Sequence, residues 1–192
     1  MKEKSTHQDI DSQAVKKHII AVAEQLFHSK SYEEVSMRDI AAEAGVTTGA
    51  LYHYFRNKQA ILVEAFRNEI NEKNLIEQYR NSIDPEKDLI HFLCSEMPEL
   101  VQRDGMEITR TRVLHITGFE HKTVVDECVL ILIEKGQANG VFRSDVSAEA
   151  QADLLCALYR SSIYQYCVST EEVELRQLVR SRIELALSAV KS

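Results

Sequence analysis

Glycine, proline and tryptophan are scarce in this chain of 192 residues, which contains six glycines, two prolines and no tryptophan. Glycine and proline together form about 4% of the chain, where roughly 12% is usual. Residues that make tight turns and hairpins are therefore few, which favours long helices. Apolar runs are also short: the longest covers residues 128–133, and the first eleven residues are mostly polar. We therefore expect no membrane or export segment and a cytoplasmic protein.

Paired cysteine motifs are missing too. None of the four cysteines has C-x-x-C spacing, and each lies in an apolar stretch, which predicts reduced, buried thiols and argues against redox sensing. His91 and Cys94 are three residues apart and could join His115 or His121 around zinc. Because no second pair nearby in sequence completes such a site, a core thiol beside a histidine is favoured. We expect no metal and no cofactor. The cysteines are Cys94, Cys128, Cys156 and Cys167.

Charge is distributed unevenly along the chain. The net charge is −7, which argues against a protein that coats nucleic acid through an overall positive charge. Residues 1–60 contain eight basic and eight acidic side chains, so the whole excess lies in residues 61–192. Residues 44–63 include no acid at all, although about three are expected in a window of this size. This segment is compatible with a surface that faces phosphate.

Helical periodicity extends over most of the chain, so we predict an all-α fold without repeats or flexible linkers. Ser36 and Asp39 form a capping box, Gly45 ends the helix that follows, and Thr47 caps the next one. A proline at position 98 should break or kink its helix. Residues 128–133 could form a strand, but their flanks favour a buried helix centre. Predicted helices cover residues 12–30, 37–44, 48–55, 57–81, 85–98, 106–115, 120–139, 147–168 and 171–190.

Residues 36–58 have the anatomy of a helix-turn-helix. A small residue, Ala41, allows two helices to approach, Gly45 makes the turn, and Leu51 locks the second helix onto the first. The spacing alone also fits a simple helical corner, but the acid-free window favours DNA. Outward positions of the second helix carry short or ring-tipped groups that suit close approach to a duplex. Thr47 lies at a helix N-terminus that favours phosphate, and Thr48 can reach base edges.

The stretch from residue 14 to about residue 66, and above all SMRDIAAEAGVTTGALYHYFRNKQAIL, resembles the DNA-binding domain of TetR/AcrR-type repressors. The resemblance includes the pattern L-Y-x-Y-F-x-x-K, which begins here at Leu51 and ends at Lys58. It implies an all-α homodimer with a helix-turn-helix domain at residues 12–58. It also implies that Thr48 and Gly49 lie nearest the bases. Phosphate contacts are implied for Ser36, Thr47, Tyr52, His53, Tyr54 and Lys58. Tyr54 also fits the role of a core aromatic equally well.

The same resemblance implies a larger helical domain, residues 59–192, that binds an effector and forms the dimer through the last two helices. Their excess of apolar positions is compatible with a four-helix bundle between subunits. Cations on otherwise apolar helices, Arg110, Arg112, His115, His121 and Arg160, suit an anionic or polar ligand, although surface charge is the commoner explanation. The candidate ligand-binding residues are Met97, Arg110, His115, Phe119 and Tyr159.

We therefore predict a ligand-responsive DNA-binding regulator, most simply a repressor that a small molecule releases from a near-palindromic operator. A regulator that answers to a metal or a protein partner is the alternative, and activation in place of repression depends on where the operator lies. An enzyme is disfavoured, because the sequence contains no nucleophile elbow, phosphate-binding loop, dinucleotide-binding turn or H-E-x-x-H motif.

Overall fold

The computed structural model describes residues 3–72, 74–115, 123–170 and 172–191, and within these ranges it leaves out the side chains of residues 3–11, 67, 69–72, 112, 114 and 115. Helices dominate these ranges, and the predicted all-α class is confirmed. An antiparallel bridge joins Phe142 and Lys191. The helices are α1 (Glu3–Ser29), α2 (Met37–Glu43), α3 (Thr48–Tyr54), α4 (Lys58–Glu72), α5 (Leu75–Arg80), α6 (Pro85–His91), α7 (Met97–His115), α8 (Val124–Ala138), α9 (Ala148–Val168) and α10 (Leu175–Val190), with a π-helical turn (Phe92–Glu96) between α6 and α7.

The chain divides into two compact units, residues 1–69 and 70–192. In the first unit α2 packs against both α1 and α3, and the start of α4 completes the core. The division falls near the end of α4, whereas the sequence places the domain boundary at the start of this helix, between residues 58 and 59. The fully buried side chains of this unit include Ile19, Ala23, Ile40, Leu51 and Ile61.

In the second unit α8 packs against α5, α6 and α9, while α10 packs against α9 and the π-helical turn. Residues 128–133 form the middle of α8, which confirms the prediction of a buried helix centre over that of a strand. Its side chains Cys128, Val129, Leu132 and Ile133 are fully buried. The helix stops at Asn139 and Gly140 as predicted, with Gly140 at φ 71°.

The prediction that α4 continues to about residue 81 is wrong. The helix ends at Glu72, and Asn74 adopts a left-handed conformation with φ 51°. Asparagine tolerates this conformation better than most residues, so the chain can change direction there. A separate helix, α5, then packs against α8 and buries Leu75 and Tyr79.

Pro98 does not interrupt its helix. Asp84 caps α6 through the amide of Lys87, 3.1 Å away, as the Asp-Pro pair predicts, and the helical path continues through the π-helical turn into α7. The amide of Met97 donates to the carbonyl of Phe92, five residues back, so the turn is wider than an α-turn. This widening accommodates a proline ring that would clash with a carbonyl of the preceding turn in a regular α-helix. The backbone of α7 departs from helical geometry at Gly105, where φ is 81°.

Other helix starts also differ from the sequence prediction. The first helix begins at Glu3, well before residue 12, and α8 begins after Thr123. The predicted start of the last helix at residues 169–172 is wrong: α10 begins at Leu175 without a side-chain cap. Burial of Leu175 against the core defines that start better than the local sequence does. Of the described helices, none is long and apolar enough to span a membrane.

Candidate nucleic-acid interface

The first helix of the motif starts at a reciprocal cap between Ser36 and Asp39. The Asp39 carboxylate accepts from the Ser36 amide (2.8 Å) and hydroxyl (2.6 Å), while the Asp39 amide donates to the Ser36 oxygen (3.2 Å). These hydrogen bonds hold the pKa of Asp39 below its usual value. The hydroxyl of Ser36 therefore fixes the start of α2 while the residue stays exposed. Its predicted phosphate contact stays a prediction.

The turn between α2 and α3 has the predicted helix-turn-helix geometry. Gly45 takes φ 65°, a conformation that is strained for residues with a Cβ, and the amide of Val46 donates to the carbonyl of Ala41 at 3.0 Å. Ala41 is buried between the helices, and Leu51 of α3 is fully buried. The three positions that the sequence indicates as small, turning and locking residues are thus the ones that join the two helices.

The outward face of α3 is exposed and free of acidic side chains. Thr47 caps the helix by accepting from the amide of Ala50 at 3.1 Å. A Cβ added at Gly49 would meet nothing within 4 Å, so this glycine leaves a bare stretch of backbone at the surface. Tyr52 is 53% exposed, which is high for an aromatic side chain in a folded domain. The predicted outward residues Thr47, Thr48, Gly49, Tyr52 and His53 all lie on the exposed part of this helix.

Tyr54 is half-buried at the end of α3. The ring of His53 meets it edge-on, with the centroids 5.5 Å apart and the planes at 80°. The next residue, Phe55, is buried, and the ammonium of Lys16 lies 5.7 Å from its ring centroid. Tyr54 therefore marks the border between the core and the exposed face of the motif.

Lys58, the first residue of α4, points toward the chain that connects α1 to α2. Its Nζ donates to the backbone carbonyls of Tyr32 (2.6 Å), Val35 (3.2 Å) and Glu33 (3.4 Å). The same Nζ lies 4.1 Å from the centroid of the Tyr32 ring, within the range of a cation–π contact. Sequence reasoning missed this arrangement, because nothing local links position 58 to a segment more than twenty residues earlier.

The predicted effector-binding residues occupy different environments in the second unit. Met97 on α7 and Tyr159 on α9 are buried in its core, whereas Arg110 on α7 is exposed. Arg110 lies near Cys167: burial raises the pKa of that thiol, and the guanidinium partly opposes the rise. Phe119 and the side chain of His115 lie outside the described residues.

A surface groove of about 410 Å³ lies between the end of α5 and the outer face of α8. Its apolar floor consists of Leu130 and Ile131, and its rim is charged. Of the predicted effector-binding residues whose side chains the structure describes, Met97, Arg110 and Tyr159, none lines it. The rim residues also hold each other: Lys135 donates to the carbonyl of Arg80 at 2.7 Å, and Arg80 pairs with Glu127 at 3.7 Å. The groove is lined by Arg80, Glu127, Leu130, Ile131, Glu134 and Lys135.

Two polar contacts in the second unit also escaped the sequence analysis. Asp126, the residue that completes the cap of α8 with Thr123, pairs with Arg160 of α9. Burial raises the pKa of the Asp126 carboxyl, but the hydrogen bonds from Thr123 and Arg160 outweigh it, so the pKa lies below its usual value. The hydroxyl of Tyr79 donates to a carboxylate oxygen of Glu96 at 2.8 Å. The T-x-x-D pattern at residues 123–126 could have revealed the cap, but nothing local points to the pair with Arg160.

All four cysteines are buried and reduced, as the sequence predicts. Burial raises the pKa of Cys94 to about 11 and those of Cys128 and Cys156 to about 12. Thiolates are the reactive form, so these values favour inert core thiols.

Comparison with known proteins places these features in context. The family model of bacterial regulatory proteins, tetR family, matches residues 19–65, which include α2, the turn, α3 and the start of α4. The HTH-type transcriptional repressor KstR2 of Rhodococcus jostii is 26% identical over 143 residues, covering 68% of this chain and 69% of that protein. The HTH-type transcriptional regulator AcrR of Shigella flexneri is 35% identical over 107 residues, covering 51% of this chain and only 49% of that protein.

Among solved structures, the chain resembles FadR of Thermus thermophilus, a TetR-family transcriptional repressor crystallised with lauroyl-CoA. The TM-score is 0.74 at 20% identity, and the match covers 90% of this chain and 93% of that one. At this identity the likeness concerns the fold, which extends through both units.

Proposed function

Since the chain belongs to the tetR family of bacterial regulatory proteins, we propose that it is a cytoplasmic repressor that binds a near-palindromic operator as a homodimer and leaves it when a small molecule binds. It is a DNA-binding transcriptional regulator and not an enzyme. The observation that carries the proposal is the exposed, acid-free face of α3 on a complete helix-turn-helix.

Within this function the exposed residues divide into two groups by reach. Thr48 and Gly49 stand at the start of α3, where a threonine methyl or hydroxyl and a bare backbone can approach base edges in the major groove. The remaining predicted residues carry hydroxyl, phenol or imidazole groups that can donate to phosphate oxygens, and the Ser36 hydroxyl does so only by giving up its hydrogen bond to Asp39. This second group consists of Ser36, Thr47, Tyr52, His53 and Tyr54, and Lys58 is considered separately below.

The homodimer is proposed to form through α9 and α10, as the sequence indicates. Each helix presents apolar side chains outward that the folded chain does not bury: Leu154, Tyr164 and Val168 on α9, and Leu185 on α10, which is 74% exposed. Exposed apolar side chains on adjacent helices are suited to a four-helix bundle between two copies. Binding of such a dimer to successive major grooves requires its two recognition helices to lie about 34 Å apart, one turn of the duplex.

The dimer contact is tested by one charge at its proposed centre. Leu185→Glu should halve the mass measured by light scattering, because it buries a carboxylate in an apolar interface. Ile83→Glu is the matched control, since Ile83 is 94% exposed in the connection between α5 and α6 and the same change there should leave the mass unaltered. A dimer that tolerates Leu185→Glu would place the interface elsewhere.

Release by a small molecule is proposed to occur through the second unit. A ligand shifts the equilibrium only by its difference in affinity for the DNA-competent and DNA-incompetent forms, and about 1–3 kcal/mol per site is enough. Lauroyl-CoA, the molecule bound to the Thermus repressor, is the first probe to test, with free coenzyme A as its control. A regulator that answers to a metal or a protein partner is the alternative if small molecules leave operator affinity unchanged.

The DNA-binding function is tested by selection of bound duplexes from a random pool, with the salt concentration stated. We expect an inverted repeat whose half-sites lie about one helical turn apart. A pool that shows no enriched motif at low salt would refute the proposal.

A further inference from the structure

The ammonium of Lys58 joins the two ends of the helix-turn-helix. Its three carbonyl acceptors belong to residues 32, 33 and 35, directly before the Ser36 cap of α2, while Lys58 itself directly follows the end of α3 and its connection. The whole segment between these points, residues 36–57, contains α2, the turn and α3. The contact therefore joins the two ends of residues 36–57, the segment that contains both helices of the motif.

The geometry of the contact matches the chemistry of a lysine. An ammonium has three N–H donors, and three carbonyl oxygens lie 2.6, 3.2 and 3.4 Å from this one. The face of Tyr32 covers the same ammonium from 4.1 Å. Tyr32 is itself fixed, since it is 2% exposed and its ring packs 5.0 Å from that of Phe27 on α1. Charge-assisted hydrogen bonds in a partly buried place are stronger than neutral ones and resist exchange with solvent.

A second contact ties α4 to the same unit without involving the loop. The ammonium of Lys16 on α1 meets the carboxylate of Glu64 at 2.7 Å, two turns along α4 from Lys58. The helix is thus held to α1 independently of Lys58. Loss of the Lys58 contact would therefore release the two ends of residues 36–57 from each other and leave the packing of α4 on α1 in place.

From this geometry we infer that Lys58 is a positioning residue. Its ammonium joins the two ends of residues 36–57 and thereby holds α3 in the orientation that binds the operator. It supports operator binding in this way and not by contacting a phosphate. The inference rests on the proposed DNA-binding function. It assigns to Lys58 a role different from the phosphate contact that the family resemblance implies.

The salt dependence of operator affinity distinguishes this positioning role of Lys58 from a phosphate contact. Each phosphate that a protein neutralises adds about 0.9 to the slope of log affinity against log salt, so one contact per subunit adds about 1.8 for a dimer. We expect Lys58→Met to lower operator affinity about 10- to 100-fold at every salt concentration, with a slope parallel to that of the wild type. Lys58→Arg should recover part of the loss, because a guanidinium can donate to several carbonyls and stack on Tyr32.

The matched control is Arg56→Met, which removes an exposed positive charge two residues earlier in the chain. It calibrates the effect of one lost charge near the interface. Without DNA, Lys58→Met should lower the melting temperature while Arg56→Met leaves it unchanged. Affinities are measured at a temperature at which circular dichroism shows that each variant is fully folded. A purely structural role of Lys58 would leave the affinity of the folded protein unchanged, whereas a positioning role would lower it.

Wild-type protein supplies a measurement that needs no variant. The hydrogens of a lysine ammonium that is bound to carbonyls exchange slowly with water, so its ¹⁵N signal can be observed. We expect the ammonium signal of Lys58 to be present in the free protein and to stay unchanged on operator binding. A signal that shifts on binding, or a slope that falls by about 1.8 in Lys58→Met with unchanged melting temperature, would overturn the inference. If the wild-type chain binds no duplex but the slowly exchanging ammonium of Lys58 is observed, the proposed function is overturned, while the contact of Lys58 with the three carbonyls still stands.

Discussion

Gly136, in the last turn of α8, should be intolerant of the smallest side chain. A Cβ built there would lie 2.1 Å from Cδ2 and 2.4 Å from Cε2 of Phe142, distances that real contacts do not reach. The ring has little freedom to move, because Phe142 is 1% exposed and its amide donates to the carbonyl of Gly136 at 3.2 Å. The bridge to Lys191 fixes the same residue from the other side.

The expected size of the effect follows from one stabilising and two destabilising contributions. In a helix interior alanine is favoured over glycine by about 1 kcal/mol. Forcing an extra carbon into a filled core destabilises by about 1–3 kcal/mol, and displacing an aromatic ring from its site adds lost burial of about 2 kcal/mol. We therefore expect Gly136→Ala to lower the free energy of unfolding by about 2–4 kcal/mol, a fall in melting temperature of roughly 4–16 °C for a chain of this length.

Thermal unfolding by circular dichroism, without DNA, measures this effect, and Gly49→Ala is the matched control. Gly49 also lies in a helix, but its Cβ would meet nothing within 4 Å, so the same substitution there should leave the melting temperature unchanged or raise it. Replacing Phe142 by leucine should reduce the penalty of Gly136→Ala in the double variant, because the clash disappears. A Gly136→Ala protein as stable as the wild type would refute the reasoning.

Three further predictions concern DNA contacts, thiols and acid. Tyr52→Ala should weaken binding to all duplexes alike, whereas Thr48→Ala should change the preferred base at one or two positions in a repeated selection. Cys128 and Cys156 should resist a thiol-specific reagent at pH 8 in the native protein and react at once in denaturant, because burial raises both pKa values to about 12. The pKa of Asp126 is lower in the folded chain than in the unfolded one, so its contribution to stability is present above about pH 4 and is lost as the pH falls through the folded value. Asp126→Asn should therefore flatten the acid limb of the stability curve.

Each of these predictions has a contrary result. A changed base preference in Tyr52→Ala with normal overall affinity would exchange the two assigned roles. Rapid labelling of native Cys156 would place that thiol at an opening of the core. An acid limb identical in wild type and Asp126→Asn would mean that other carboxyl groups determine the loss of stability at low pH.

The elements that sequence reasoning predicts well have their determinants within a few residues. The Ser36 cap, the left-handed Gly45 and the Asp84 cap before proline each depend on contacts between near neighbours. The buried centre of α8 can be predicted from sequence, because an uninterrupted apolar run flanked by helical periodicity is typical of a buried helix. The outward face of α3 follows from the same periodicity, since Leu51 fixes which side packs inward.

Tertiary contacts determine the features that sequence reasoning missed. The end of α4 depends on one asparagine in a left-handed conformation, and the start of α10 depends on burial of Leu175 rather than on a capping motif. Lys58 belongs to the same class, because its acceptors lie 23 to 26 residues earlier in the chain. The effector-binding residues could be named only by residue type, and type does not reveal which of them lie together: Met97 is buried in the core, whereas Arg110 is exposed.

The π-helical turn before Pro98 has a consequence for how the chain can vary in length. It buries three successive side chains, Phe92, Leu93 and Cys94, where a regular helix would turn one of them outward. A π-turn holds one residue more than an α-turn over the same rise, so the helices on either side keep their own inward faces. Deleting one residue within this turn should restore α-geometry locally, whereas the same deletion inside α6 or α7 would rotate every later side chain by about 100°.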